Sequence, residues 1–423
     1  MDAAAANGGC CGDRAAHGRR VAGVDFVRRK RRVKPLSIVV YCGLLMSISA
    51  FAVDISLPTF AAIADDLAAP YELVQWTITI YMFSAGIAQL VWGSASDRFG
   101  RKPALAWGLS IFLGGCVLAT LAPNIGLLLA ARALQGFGAA AAIVCSRAII
   151  RDRHSGPDLA RNLALATAIF AVGPIVAPLL GAGIALPFGW RAVFVILGLI
   201  AIGLLFVLLR LPETVPALSP DALKPSVFAA RTRRLFAHPQ SRYFLVISAV
   251  IMSAMMLILT TLPRIYDTSF GVTGVAFALL FALHGFGIII GQTANRRLIP
   301  RLGVVPTMLL ANSVLIVAAG AMLAVTLAGL ASAYVFTALA ILFATSYLIV
   351  FSNAAALVMD PHGDIAGFTA AFYGFSSQIG SAIVASLLVF LVGDDIVRFP
   401  AALLGICLVS FLAIFRWHQR HRR

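Results

Sequence analysis

Apolar runs of roughly 20 residues recur along nearly the whole chain, separated by short polar interruptions. That is the length an α-helix needs to cross a hydrocarbon core of ~30 Å, and about twice that of a membrane barrel strand. Because every backbone group in lipid must be satisfied internally, such runs read as helices. The pattern predicts twelve spans: Leu36 to Ile63, Val74 to Ala95, Ala104 to Ala122, Ile125 to Ile150, Leu163 to Phe188, Ala192 to Leu211, Tyr243 to Pro263, Gly274 to Ala294, Val304 to Leu327, Ala331 to Ser352, Ala366 to Val392 and Ile396 to Phe415.

The longest interruption, Pro212 to Arg242, leaves six spans on each side. It is rich in Pro and Arg, has no sustained apolar period, and reads as a linker. The expected organisation is a disordered basic tail at 1–35, a six-helix half at 36–211, a cytoplasmic linker at 212–242, a second half at 243–415 and a basic tail at 416–423. The halves echo each other. Gly93 precedes Asp97 between spans two and three as Gly291 precedes Asn295 between spans eight and nine, each followed by Arg and then Gly. The fold class is therefore an all-α membrane protein of twelve transmembrane helices in two pseudo-symmetric halves, built as parallel repeats.

Composition excludes a soluble globule, since 61% of residues are hydrophobic, 12% are charged and the mean hydropathy is +0.95. With both termini cytoplasmic, every Lys and Arg except Arg132, Arg191, Arg264 and Arg398 falls on the cytoplasmic side. That satisfies the positive-inside rule. It also accounts for the net charge of +16 as lipid-facing topology signals at Arg28 to Lys34, Arg231 to Arg234 and Arg416 to Arg423, without nucleic acid as a partner. The first 34 residues lack the apolar core of a secretory signal. Cys10 and Cys11 lie in that tail, and Cys42, Cys116, Cys145 and Cys407 fall in spans without metal-ligand spacing, so no disulfide framework is expected.

Chemistry concentrates in a few places. Gly93 and Gly100 allow a tight turn, Asp97 precedes the third helix where a carboxylate is favoured, and Arg98, Arg101 and Lys102 anchor the hairpin inside. Pro174 and Pro178, flanked by Gly173, Gly181 and Gly183, interrupt span five and leave a groove for a close neighbour. Each could serve as no more than a topological anchor or a packing kink. Asp54 and Arg132 are intramembrane charges, which face a cavity or a partner. At 1.5 Å per residue Asp54 lies about 15 Å, and Arg132 about 12 Å, below the outer ends of their helices. They sit at nearly one level, where they can share an aqueous cavity as a proton-coupling pair or as a permanent structural ion pair.

The stretch Gly93-Ser-Ala-Ser-Asp97-Arg98-Phe-Gly100-Arg101-Lys102-Pro103 resembles the loop-two signature of the major facilitator superfamily. Arg132-Ala-Leu-Gln135-Gly136-Phe-Gly138 resembles its fourth-helix motif, and Gly173-Pro174-Ile-Val-Ala-Pro178-Leu-Leu-Gly181 the fifth-helix motif of its drug:proton antiporter branch. Asp54-Ile-Ser-Leu-Pro58, Gly189-Trp190-Arg191 and Leu211-Pro212-Glu213-Thr214 narrow the likeness to the bicyclomycin and chloramphenicol resistance type. The resemblance covers residues 36–415 and implies the major facilitator fold in a bacterial inner membrane. It implies that Gly93, Asp97, Arg98, Gly100 and Arg101 form a conformational latch. Asp54 and Arg132 would couple protons, and the span-five motif would act as a hinge or seal.

Gln135, almost one turn deeper than Arg132, is expected to relay protons or bind polar substrate groups. His284, Asn353, Tyr373 and Gln378 are candidates for the substrate cavity, His284 standing where the resemblance leads one to expect Asn. Met252, Met255 and Met256 offer an adaptable apolar surface. Gly285-Phe-Gly287-Ile-Ile-Ile-Gly291 mimics a dinucleotide loop but lies inside a span, follows no strand and reads as small-residue packing.

With no Walker loop, zinc cluster or nucleophile elbow, the sequence argues against ATP-driven transport or enzymatic catalysis by this chain. The expectation is a monomeric secondary transporter in the lipid bilayer, with no cofactor and a proton gradient as energy source. It would expel small amphipathic drugs or metabolites in exchange for protons. A metabolite transporter or symporter of the same fold, for example for nucleosides, is the first alternative, and a non-transporting membrane sensor the second. Gating motifs report the machine, and cavity walls report the cargo.

Overall fold

The computed structural model describes residues 35–154, 156–215, 218–393 and 395–421. The basic tail with Arg28 to Lys34, Cys10 and Cys11, and the terminal Arg422 and Arg423, lie outside the described residues. Among those described there are twelve helices long and apolar enough to cross a membrane. They are α1 (Ile38–Asp66), α2 (Tyr71–Phe99), α3 (Arg101–Thr120), α4 (Ile125–Arg153), α5 (Arg161–Phe188), α6 (Arg191–Leu209), α7 (Pro239–Phe270), α8 (Gly274–Leu302), α9 (Val304–Leu327), α10 (Ala333–Gly363), α11 (Gly367–Val392) and α12 (Arg398–Arg420). No strand occurs among the described residues. By parity the chain ends and the linker share one side of the bundle, called here the terminal face, and the turn between α1 and α2 lies on the opposite face.

Turn chemistry sets the hairpins. Asn124 caps α4 by accepting from the Leu127 amide at 2.9 Å, and Ser332 caps α10 through Val335 at 3.3 Å. Gly100 joins α2 to α3 with φ +101 and ψ 158, and Gly303 joins α8 to α9 with φ +86 and ψ 169. These dihedrals suit glycine alone. Their recurrence at equivalent turns shows in backbone geometry the repeat that is only faint in the sequence.

Within each half the helices approach through small residues, as membrane packing requires. In the first half a side chain at Gly136 would overlap the Tyr81 carbonyl, one at Gly138 would meet the Gly108 carbonyl and the Phe112 amide, and Ala139 to Ala142 are fully buried. In the second half Gly287 and Gly291 abut the Ile341 and Thr345 carbonyls, so the dinucleotide-like stretch is a packing seam. Large apolar side chains such as Leu186, Phe206, Leu387 and Phe390 stay exposed, as a lipid-facing rim would.

The halves meet along α2 with α11 and α5 with α8, with α2 also touching α7. Near the opposite face Gln75 Nε2 donates to the Thr260 carbonyl at 2.8 Å. Deeper, Gln89 Nε2 donates to Gln378 Oε1 at 3.0 Å. Contrary to expectation, the linker has order of its own: a 3₁₀ turn at Pro220–Leu223 and a helix at Pro225–Ala237. The linker helix buries Leu235 and sets Phe228 and Phe236 against Phe368 and Phe372 of α11 at 5.4 and 5.6 Å. Its apolar positions are too few and too short in extent to stand out from the surrounding Pro and Arg.

Backbone contact at Gly136 makes a quantitative expectation. Gly136→Ala should force α2 and α4 apart and cost about 1–3 kcal/mol, lowering the thermal midpoint of the detergent-solubilised protein. Gly114→Ala, where an added methyl meets nothing within 4 Å, should leave it unchanged; equal midpoints for both variants would show that the α2–α4 contact is not limiting.

Candidate functional site

The helix that opens α1 stops at Asp54, gives way to a 3₁₀ turn at Leu57–Thr59 and resumes at Phe60. Pro58 causes the break, because it brings no amide to the ladder. Side chains repair the exposed carbonyls: Ser56 Oγ donates to Val53 at 3.0 Å and Thr59 Oγ1 to Ser56 at 2.8 Å. Arg132, reaching over from α4, donates from Nη1 to the Ala52 carbonyl at 2.9 Å. Asp54 and Arg132 therefore do lie at one level, as the helical rise implies.

They are not an ion pair. No Arg132 nitrogen lies within salt-bridge distance of the Asp54 carboxylate; Nη1 is shared between Ala52 and Gln135 Oε1 at 2.7 Å, and Nε points to the Thr77 carbonyl at 3.4 Å. The guanidinium stacks over Tyr81 with 4.6 Å to the ring centroid, while Nη2 has no partner. Asp54 is 5% exposed and Arg132 1%. Both side chains are buried and make no hydrogen bond or ion pair to each other, and Arg132 keeps one donor free. Gln135 is committed rather than available, since it accepts from Arg132 and donates to Cys116 Sγ at 3.1 Å.

α5 presses on this break. Its helix is interrupted at Ala171 and Val172 and restarts at Gly173, with Pro174 in the first turn and Pro178 inside. Gly173 lies against Ala50, and a side chain on Gly181 would overlap the carbonyl of Ile55, the residue after Asp54. On another face Ile175 fills the space over Gly285 of α8. One proline-loosened helix therefore touches the Asp54 break on one side and the other half of the molecule on another.

The charged turn between α2 and α3 forms a network on the terminal face. Arg101 Nη1 bonds Asp97 Oδ1 at 2.6 Å and Ser96 Oγ at 2.8 Å, and its Nε bonds Asp152 Oδ2 of α4 at 3.0 Å. The expected cap of α3 is wrong in its residue. Asp97 sits in the last turn of α2, and Glu213 of the linker caps α3, accepting from the Arg101 and Lys102 amides at 3.0 Å each. Lys102 Nζ in turn caps α6 through the Leu209 and Leu211 carbonyls, both at 2.9 Å. A side chain on Gly100 would approach Glu213 Oε2 to 2.6 Å, a second reason for glycine there. Gly93 faces Ala371 of α11, whereas Arg98 is exposed over Phe99 and outside the ion-pair network.

The expected cavity residues separate. Gln378 and Tyr373 lie where α11 meets the first half, Gln378 bonded to Gln89 and Tyr373 donating its hydroxyl to the Phe351 carbonyl at 2.6 Å. His284 and Asn353 do not reach that interface. His284 stacks on Phe281 inside the second half, beside Tyr266 and Thr337, and Asn353 exchanges amide hydrogen bonds with Asn295 at 3.0 and 3.3 Å. Met255 and Met256 are core residues, with Met252 half-buried beside them. Asp152, Glu213 as a cap, and Gln89 are the participants the sequence reading missed. Glu213 had a signal, since it was part of a motif read only as a likeness.

The Major Facilitator Superfamily profile matches residues 42–385. The chain is 34% identical over 263 residues to "Uncharacterized MFS-type transporter YdgK" of Bacillus subtilis, covering 61% of this chain and 65% of that protein. It is 29% identical over 264 residues to "Bicyclomycin resistance protein homolog" of Haemophilus influenzae, covering 62% and 66%. The aligned part thus spans just under two thirds of each relative's length. Among solved structures, the partially occluded inward-open xylose transporter XylE of Escherichia coli superposes with a TM-score of 0.72 at 13% identity, over 90% of this chain and 97% of that one. That likeness concerns the fold.

The Glu213 cap carries a pH signature. Partial burial opposes ionisation, but four backbone amides, of Lys102, Val215, Thr214 and Arg101, hold its carboxyl below the usual glutamate range. A carboxyl depressed in the folded state contributes stability above its unfolded pKa and loses it as pH falls through the folded one. Glu213→Gln should therefore destabilise by about 1 kcal/mol at neutral pH, as for a lost cap. The difference in thermal midpoint from wild type should shrink on acidification; a difference independent of pH would mean the cap does not act as a carboxylate.

Proposed function

Because the chain belongs to the Major Facilitator Superfamily, we propose that it is a bacterial inner-membrane secondary transporter that expels small amphipathic drugs or metabolites in exchange for protons. The single observation that carries the coupling step is the buried, unpaired Asp54 at the α1 break, at the level of a guanidinium that has an unused donor. The bicyclomycin-resistance name of the Haemophilus influenzae relative supports drug efflux as the task. The positive-inside rule supports a cytoplasmic terminal face, and both halves lie in one chain, so a monomer suffices.

The proton acts through charge. With a proton on Asp54 the α1 break is held by the bond from Arg132 to Ala52. Without it, an unpaired carboxylate stands buried at the break, a costly state that a shift of α1 relieves. Movement at Ile55 is felt by Gly181 of α5, and Ile175 hands it to Gly285 of α8 across the interface. Proton loss or gain thereby biases how the halves rock, and the network of Asp97, Arg101 and Asp152 biases the same equilibrium from the terminal face.

Purified protein in liposomes loaded with a pH dye tests this directly. A transported compound should change luminal pH in wild type, and Asp54→Asn should reduce that response to the level of empty liposomes while remaining folded. Full pH-driven exchange by Asp54→Asn would place the proton site elsewhere.

A further inference from the structure

α4 turns two arginines toward the second half, Arg147 and Arg151, one helical turn apart. Arg151 reaches α11, where a side chain on Gly367 would stand 2.5 Å from its Nη1. Arg147 lies about 6 Å further from the terminal face along α4, and its charge acts on Tyr373, about a turn and a half beyond Gly367 on α11. The helices run in opposite directions, so both arginines match their α11 neighbours in height. Arg147 faces the gap between the halves, not lipid.

The side chain is exposed, and it stands within electrostatic reach of Tyr373 on α11. α4 and α11 do not pack tightly against each other, in contrast to α2 with α11. Gln89 bonds Gln378 deeper along the same interface, the rings of Phe351 and Tyr373 pair with centroids 5.1 Å apart, and Arg151 stands nearer the terminal face against Gly367.

Among the described residues no carboxylate answers the charge. Asp97 and Asp152 are both given to Arg101, Glu213 is given to backbone amides, and the Tyr373 hydroxyl is spent on the Phe351 carbonyl. Among the described residues Arg147 makes no ion pair, which leaves its fork of donors open to a ligand. A guanidinium in a confined space recognises planar anions by paired, charge-assisted hydrogen bonds. We propose that Arg147 receives the anionic group, a carboxylate or phosphate, of amphipathic cargo arriving from the terminal face, with the cargo's apolar body against Phe351 and Tyr373. The proposal rests on the efflux reading and narrows its cargo to compounds with an acidic group.

The probe pair is N-dansylglycine and its uncharged methyl ester, read by dansyl fluorescence on detergent-purified protein, so the result does not depend on transport. Wild type should bind the acid about tenfold or more tightly than the ester, the scale of one charge-assisted contact. Arg147→Gln should equalise the two, and Arg147→Lys should restore part of the preference. Equal affinities in wild type, including no binding of either, or a preference that survives in Arg147→Gln, would overturn the assignment while leaving the Asp54 experiment to judge proton exchange. Displacement of the acid by phosphatidylglycerol in wild type alone would give the site to a lipid headgroup and overturn it as a cargo site.

Discussion

A helix cannot break inside a membrane unless something else meets the backbone groups it abandons. That constraint organises this molecule. Pro58 breaks α1 next to Asp54, and the repair recruits hydroxyls from α1 itself, a guanidinium from α4 and the glycine face of α5. Arg132 bonds the Ala52 carbonyl and not the Asp54 carboxylate, so Asp54 is left without an ion-pair partner. A continuous α1 would need none of these contacts, and the carboxyl would lose the surroundings that the break gives it.

The two halves share a backbone plan but not a charge plan. Both turn from their second to third helix through a glycine in the same conformation, and both place a polar residue four positions after a packing glycine. In the first half that residue is Asp97, tied through Arg101 to Asp152. In the second it is Asn295, paired with Asn353 by neutral amide bonds. The second seam holds its shape whatever the local charge, whereas the first depends on ion pairs that can be remade. The halves differ in which can sense and which can only follow.

Spans were legible because apolar length alone decides them, and Asp54 and Arg132 were legible as level because rise per residue converts sequence distance into height. Height is not azimuth. His284 and Asn353 were placed at plausible depths, yet their helix turns them into the second half, and nothing in a uniformly apolar span says which face meets a neighbour. The same limit hid Asp152 and Glu213, whose partners lie far along the chain at Arg101 and Lys102. It also made Gln135 look free when its hydrogen bonds were already taken.

The linker is fastened to both halves. Its first residues cap α3 through Glu213, the Ser219 amide bonds the Asp97 carbonyl at 2.9 Å, and the helix that follows lies on α11 through two phenylalanine pairs. Wider opening of the terminal face must peel one of these ends away. Aromatic pairs are worth about 0.5–1.5 kcal/mol each, so the two together weight the conformational populations by roughly 5- to 150-fold against the wide-open form. The connection is in effect a spring held between the two halves, loaded by the same contacts that close the terminal face.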